Sequence, residues 1–598
     1  MGKLTRRGAA LLPLVNNEQA VLISLGCALG VLVGFGALAF GYLLNAIQNI
    51  AFRGVVAFDH AKHFPDLVRG LAPWHVLLAP VVGALLVGPL VRHFAREARG
   101  HGIPEVMEAV ALRNGRIRKR VAAAKIVASA CTIGTGGSAG KEGPIAQIGA
   151  AIGSTLAQIL RLSPGRMRTL VACGAAGGIA ATFNTPIAGS IFAVEIVLGG
   201  LELTSISPVV LCAVTATVTA RAFQGNVLLL AIPQDIKTTL VMVSPFEVVT
   251  YAGLGVAASA VAVLYIKTLY ATEDFFEKLR RLPGWLKPAL GAAGVGALGI
   301  EYPEVLSQGF ETINLALLGD PRATWQLLAV LLAAKILATS LTLGSGGSGG
   351  IFAPCLVIGS LLGSLYGEAV HRLFPLSTAG SGAYALVGMG ALVAAATHAP
   401  ITSILILFEM TDNYRIILPL MLAATLGTVI TSQTLRVSIY TLKLRRRGVT
   451  LRAGLEQSLL RSLTVASATD PDPPTISPET PFSQLVRLMT EGSLHDYPVV
   501  GRDGKLLGTI SFDALRQFVF EDELAKLIIA RELMRDDVPP LLGTDTLHTA
   551  LDRFAASDSQ EIPVVEDVST PSRLVGITSR QRVMDTYQRE LRRREAGG

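Results

Sequence analysis

Residues 124–144, AKIVASACTIGTGGSAGKEGP, and residues 334–354, AKILATSLTLGSGGSGGIFAP, are two copies of one pattern set 210 positions apart, identical at eleven of twenty-one positions. In each copy an apolar run meets a glycine-rich break, and a proline (Pro144, Pro354) opens the next run, where its missing N–H is no loss. A second matched pair follows, FNTPIAGSIFAVE at 183–195 and THAPITSILILFE at 397–409. In both, a proline precedes a glutamate by nine residues, Pro186 to Glu195 and Pro400 to Glu409. Such self-similarity makes the apolar region two homologous halves, about 70–222 and 245–444.

Composition identifies the solvent. The 598 residues are 51% hydrophobic and only 16% charged, against about 25% charged in soluble globular chains. The charge is thin from about 19 to 440 and ordinary from 449 onward. About seventeen apolar segments fill the first region, and several are far shorter than the roughly 20 residues that cross a bilayer alone. Helices broken by Gly and Pro survive in lipid only when protein shields their ends, and such ends commonly face a polar site between inverted repeats. The expected fold is therefore an all-α polytopic membrane domain of two inverted repeats over 19–448, with 17–18 helices, several re-entrant. The run at 19–48 is too long for a signal-peptide core and lacks a small-residue cleavage site, so it reads as the first membrane helix. Arg6 and Arg7 before it, and Arg445, Arg446 and Arg447 after the last span, put the segment 1–18 and the C-terminus in the cytoplasm, with the cell (inner) membrane as the expected location.

Beyond a linker at 449–471 lies a second duplication. Residues 475–511 and 541–579 each give a turn, an amphipathic helix, a Pro-Val-Val strand (Pro498, Pro563) and a second strand at a glycine (Gly508, Gly576). A small α/β module thus occurs twice, at 472–527 and 528–590, before a tail at 591–598.

The glycine loops indicate the chemistry. A helix N-terminus carries about half a positive charge and several unpaired N–H donors. Two converging N-termini make an anion site with no fixed cation, which can release the ion it binds. A nucleotide loop is excluded, because Thr135 stands where the P-loop needs its first glycine and Glu142 follows the lysine in place of Ser or Thr. Glu142 lies beside the site, able to occupy it when ionised and to vacate it when protonated. At about 4 Å and an effective dielectric near 20, an anion and a carboxylate repel by roughly 4 kcal/mol, enough to link proton binding to anion movement. Lys125 and its mate Lys335 are expected to brace the fold. Five scattered cysteines form neither a metal spacing nor a disulfide framework. The nine histidines show no metal spacing, no nucleophile–base pair stands out, and no basic run with aromatics suggests nucleic acid. Expected partners are a small anion and lipid, and no enzymatic reaction is expected.

Taken in order, GHGIPE at 100–105, GKEGP at 140–144, GGIFAP at 349–354 and Tyr440 in SIYTLKL resemble the four anion-site elements of the CLC family of chloride channels and proton/chloride exchangers. The resemblance covers almost the whole chain. It implies inverted halves, a homodimer with one anion pathway per chain, and two cytoplasmic CBS domains where the C-terminal duplication lies. By the same resemblance Glu142 is the external gating glutamate. The backbone N–H groups of Ile351 and Phe352 and the Tyr440 hydroxyl are implied as central ligands, with His101, Gly140, Lys141, Glu142 and Gly143 completing the chloride-binding set. A phenol suits that place because it donates one hydrogen bond without charge.

Three positions depart from the family pattern. The serine of GSGIP is His101 here, so anion affinity or flux is expected to rise as pH falls through about 6–7, the range of an unperturbed histidine. The exchangers' internal proton glutamate aligns with Ile196, directly after Glu195, and isoleucine relays no proton. Passive, voltage-gated chloride conduction is therefore the expected function, with proton-coupled exchange through Glu142 and Glu195 as the first alternative and a membrane enzyme with a regulatory CBS domain as a distant second. The acidic residue by which CBS modules often bind adenine nucleotides falls at Ala514 and Arg582, with Asp513 one place off. No cofactor or metal is expected, and the modules are expected to serve dimer packing.

Overall fold

The computed structural model describes residues 18–59, 63–200, 203–226, 242–318, 323–449, 460, 463–492, 494–516, 518, 527–557, 559–567 and 572–596. Arg6, Arg7 and most of the expected linker lie outside them. The chain forms two compact units, Met1–Val449 and Thr450–Gly598.

The first half of unit one contains α1 (Glu18–Arg53), α2 (Phe64–Arg69), α3 (Pro73–His93), α4 (Ile103–Leu112), α5 (Arg120–Gly134), α6 (Glu142–Ile159), α7 (Pro164–Phe183), α8 (Pro186–Phe192, continued by a π-helical turn Ala193–Leu198) and α9 (Leu203–Gln224). The second contains α10 (Glu247–Lys278), α11 (Lys287–Glu301), α12 (Phe310–Leu317), α13 (Trp325–Gly344), α14 (Phe352–Leu373), α15 (Ser381–Thr397), α16 (Pro400–Thr411) and α17 (Ile417–Leu435), and α18 (Ile439–Arg446) follows. Among the described residues seven helices are long and apolar enough to cross a membrane, while Pro186–Leu198, Ser381–Thr397 and Pro400–Thr411 are apolar but shorter. Pro73, Pro164, Pro186 and Pro400 each open a helix, where the fixed φ suits the first turn.

The packing shifts the halves from 70–222 and 245–444, starting the first earlier and ending the second sooner. Helix α1 packs on α9 as α10 packs on α17, and α6 packs on α7 as α14 packs on α15. The halves therefore begin at Glu18 and Glu247 and end at Gln224 and Leu435, with α18 outside the repeat.

A buried polar seam joins the halves, and its bonds come in exchanged pairs. The Ser129 hydroxyl meets Ser348 at 2.9 Å, and Ser138 meets Thr339 at 3.1 Å. The Ser348 N–H donates to the Thr132 hydroxyl (3.3 Å), and the Ser138 N–H to Thr342 (3.0 Å). At the centre Gly140 N–H donates to Gly350 O (2.8 Å) and Gly350 N–H to Gly140 O (2.6 Å). Residue i of one half meets residue j of the other while j's mate meets i's mate, which is the signature of a two-fold relation. Lys125 Nζ donates to Ala98 O and Gly100 O, at 3.0 and 2.7 Å. Lys335 Nζ does the same to Val305 O and Ser307 O, at 2.9 and 3.2 Å, so both lysines brace loops.

These two loops expose a third repeat. EARGHGIPE at 97–105 and EVLSQGFET at 304–312 share only the glutamate and the glycine, yet Gly102 and Gly309 both adopt a positive φ, 89° and 82°, before α4 and α12. Gln308 is the counterpart of His101.

Unit two contains the expected double module. In the first, α19 (Phe482–Glu491) packs by β1 (Asp496–Val500) and β2 (Leu506–Ser511), an antiparallel pair. In the second, β3 (Leu541–Leu542) runs parallel to β4 (Glu561–Val565), which pairs antiparallel with β5 (Leu574–Ser579). The modules exchange carboxylates. Glu561 accepts from the His495 and Asp496 N–H groups, both at 3.0 Å, and Asp496 accepts from Gln560 (2.7 Å) and Glu561 (3.3 Å). The expected tail continues a last helix, Arg580–Ala596.

Burial raises the Glu561 carboxyl above its ordinary 4.5, against the lowering by those two amides. Its folded form therefore holds a proton to higher pH than the unfolded chain, and the stability this confers is lost as pH rises through the raised value. Hydrogen-exchange protection of β1 and β4 should fall with pH in the wild type and vary less in Glu561→Gln. Glu561→Ala, which strands two amides, should cost about 1–3 kcal/mol at every pH.

Candidate anion site

Three backbone segments meet at the centre of unit one. Gly100 N–H donates to Gly347 O (3.0 Å) and Gly349 N–H to Gly100 O (3.3 Å), tying the loop before α4 to the loop before α14. The Gly140–Gly350 pair ties the latter to the loop before α6. Gly143 permits the closest approach, since a Cβ there would run into His101 O. The helices that begin here, α4, α6 and α14, present first-turn N–H groups with no partner inside the helix.

The expected site residues occupy this junction. Ile351 is the N-cap of α14 and Phe352 its first residue. Glu142 is the first residue of α6, with Lys141 as N-cap. Its carboxylate lies back against the loops, close to Gly140 and 3.1 Å from where a Cβ of Gly350 would stand. Both carboxylate oxygens are buried without a hydrogen-bond partner among the described residues. The Tyr440 hydroxyl is likewise buried and unpartnered, on a residue that is 0% exposed. Tyr440 is held by the start of α18, where Ser438 and Thr441 form a capping box, and by the Tyr270 hydroxyl, which donates to Ile439 O at 2.6 Å. Lys141 does not pair with Glu142 but reaches over the Phe183 ring, 5.7 Å from its centroid.

His101 lines a cavity of about 380 Å³ together with Arg96, Arg99, Glu273, Lys443 and Arg446. The cavity lies beside α18 within unit one. Beneath it, Lys443 and Glu105 form a buried ion pair at 2.8 Å, to which Arg447 adds a contact at 3.2 Å. Sequence reading missed this pair, which joins residues 338 positions apart.

Glu195 is not free at this junction. It accepts from the Ile401 N–H (3.3 Å), the Thr402 N–H (2.7 Å) and the Thr402 hydroxyl (2.6 Å) at the start of α16. Glu409 accepts in turn from Ile187 (3.1 Å) and Ala188 (2.7 Å) at the start of α8. The repeated glutamates thus cap each other's partner helix, a favourable place for negative charge. Ile196 beside Glu195 is buried. The five cysteines are free, and Cys173, Cys212 and Cys355 are buried.

Halves related by a two-fold, helices broken at their meeting point, and unpaired polar groups aimed into the break define an integral membrane transport protein of the duplicated kind. The chain belongs to the voltage gated chloride channel (CLC) family, whose model matches residues 83–432. The CBS domain model matches 465–521 and 530–589, close to the boundaries read from the sequence. A protein of Ralstonia nicotianae named as a ClcB-like chloride channel protein is 41% identical over 389 residues, 64% of this chain and 89% of that one. The H(+)/Cl(−) exchange transporter ClcA of Klebsiella pneumoniae is 33% identical, over 72% of this chain and 90% of its own. The crystal structure of a slow cyanobacterial Cl−/H+ antiporter matches with a TM-score of 0.63 and 25% identity, covering 71% of this chain and 97% of that one. These relatives are transporters or channels, not enzymes.

Removing one member of a buried ion pair costs about 3–5 kcal/mol because the other charge is stranded. Lys443→Met should therefore destabilise the detergent-solubilised protein by about 3 kcal/mol, near the lower bound because Arg447 shares the load. The double variant with Glu105→Gln should recover most of that loss in the same unfolding measurement.

Proposed function

We propose that the chain exchanges chloride for protons, with the anion held between the α6 and α14 N-termini and Glu142 as the gate. The observation that carries this reading is the Glu142 carboxylate itself, lodged between Gly140 and Gly350 with no side-chain partner among the described residues and with its own N–H and that of Ala353 as the donors beside it. In that position it competes with an anion when ionised and yields when protonated. The Ile351 and Phe352 N–H groups and the Tyr440 hydroxyl supply the donors, while Gly140 and Gly143 keep the walls close. His101 stands at the cavity side, and Lys141 adds positive potential without pairing to the gate.

This reading departs from the expectation of passive conduction. That expectation rested on Ile196 alone, whereas an exchange transporter and an antiporter stand among the relatives with the same fold. Glu195 is a poor proton carrier while both its oxygens cap α16. The assembly is a homodimer with one pathway per chain, lying in the cell membrane with both termini cytoplasmic, as the family resemblance and the Arg445–Arg447 cluster suggest. The CBS pair packs rather than binds nucleotide, because Arg582 is engaged by Asp470 at 2.5 Å and Asp513 faces Arg516 at 3.6 Å.

In liposomes, a chloride gradient should drive protons uphill through the wild type. Glu142→Ala should pass chloride while moving no protons. A wild type that passes chloride with no proton movement would return the function to a channel.

A further inference from the structure

An exchanger must load and unload protons from both faces, and the position beside Glu195 offers only Ile196. Glu273, Asp274 and Glu277 line the cavity on that side, and one group that reaches from it into the buried interior is His101. His101 lines the 380 Å³ cavity, yet the residue is only 4% exposed, and its Nδ1 is buried with no partner among the described residues. The ring therefore spans from cavity water to the buried interior. Its nearest aromatic neighbour, Tyr270, meets it edge-on at 6.5 Å and 87°. Tyr270 spends its hydroxyl on Ile439 O and leaves the imidazole nitrogen unclaimed.

Arg96, Arg99, Arg446 and the α10 carboxylates Glu273, Asp274 and Glu277 share the cavity with the ring, and the charged groups on the other elements around it are committed elsewhere. Glu105, in the first turn of α4 after the loop that carries His101, holds Lys443 and Arg447. Lys443 and Arg447, on and after α18, are bound to Glu105 in turn. Lys125 on α5 is fixed to two carbonyls. Glu105 keeps one buried oxygen without a partner among the described residues, but its other oxygen holds two cations that protonation would release, so it is a poor site both to accept a proton and to release it. An imidazole has two sites that do both, and needs no standing charge, because one nitrogen can take a proton as the other gives one up.

We infer that His101 relays protons between the cavity and the Glu142 gate, in place of an inner carboxylate. The inference rests on the exchange reading above. In the step, a hydronium ion in the cavity gives a proton to one ring nitrogen, its O–H bond breaking to leave water as a new N–H bond forms. The N–H on the other nitrogen breaks, and its proton passes through interior water to the Glu142 carboxylate, forming O–H. Rotation of the ring then restores the starting tautomer with no net chemical change. On the return half of the cycle the same bonds form and break in reverse.

The test measures chloride and proton fluxes together in liposomes containing the full-length protein. His101→Asn keeps a hydrogen-bond donor for the anion but cannot pass a proton through itself. A relay contributes about 10²- to 10⁴-fold to proton transfer, so proton flux should fall by at least about tenfold more than chloride flux, and the chloride-to-proton ratio should rise accordingly. In His101→Ala, imidazole added to the solution should restore proton flux in part, a rescue that a merely structural role would not produce. If wild type and His101→Asn move protons in the same ratio to chloride, or if both fluxes fall by the same factor, the relay is refuted while exchange stands. If the wild type moves no protons, exchange itself is refuted and the relay with it.

Discussion

The backbone pair between Gly140 and Gly350 is the contact on which the rest of unit one depends. A helix broken inside a membrane strands N–H and C=O groups that lipid cannot satisfy, each at a cost of several kcal/mol. Here two breaks satisfy each other at 2.8 and 2.6 Å across the two-fold. Because both partners are glycines, no side chain stands between the strands, and the Glu142 carboxylate can lie against them. The N-termini of α6 and α14 open beside that pair, with the Ala353 N–H facing the Glu142 carboxylate. A seam of hydroxyls, Ser129 with Ser348 and Ser138 with Thr339, secures the pair without introducing charge.

That neutrality shapes the electrostatics. The formal cations near the junction are bound elsewhere, Lys125 and Lys335 to carbonyls and Lys443 to Glu105. Lys141, over the Phe183 ring, is a cation left at the centre, and the helix ends add partial positive charge beside it. Arg96 and Arg99, which form no ion pair among the described residues, add positive charge to the cavity lining.

The sequence made the central loops legible because glycine, proline and small hydroxyl residues are demanded position by position, so the repeat survives as identity. It hid the equivalence of 97–105 and 304–312, where only the braced carbonyls and the positive φ of Gly102 and Gly309 are shared. It hid the match of α1 with α10 for a different reason, since two long apolar helices facing lipid keep hydrophobicity but no particular residues. The paired glutamates Glu195 and Glu409 were visible as a repeat, yet their exchange of helix caps is a three-dimensional fact with no local signature. Tyr440 could be singled out only by resemblance, because nothing in its neighbouring residues marks a buried phenol as unpaired. The Lys443–Glu105 pair was equally out of reach, with one partner in each terminal part of the unit.

The most direct test of an anion held between the two broken helices is anomalous diffraction from bromide-soaked crystals of Glu142→Gln, in which the gate carries no charge. Bromide is expected within hydrogen-bond reach of the Ile351 and Phe352 N–H groups and the Tyr440 hydroxyl. Bromide found only among Arg96 and Arg99 in the cavity, with none between the loops, would contradict the site.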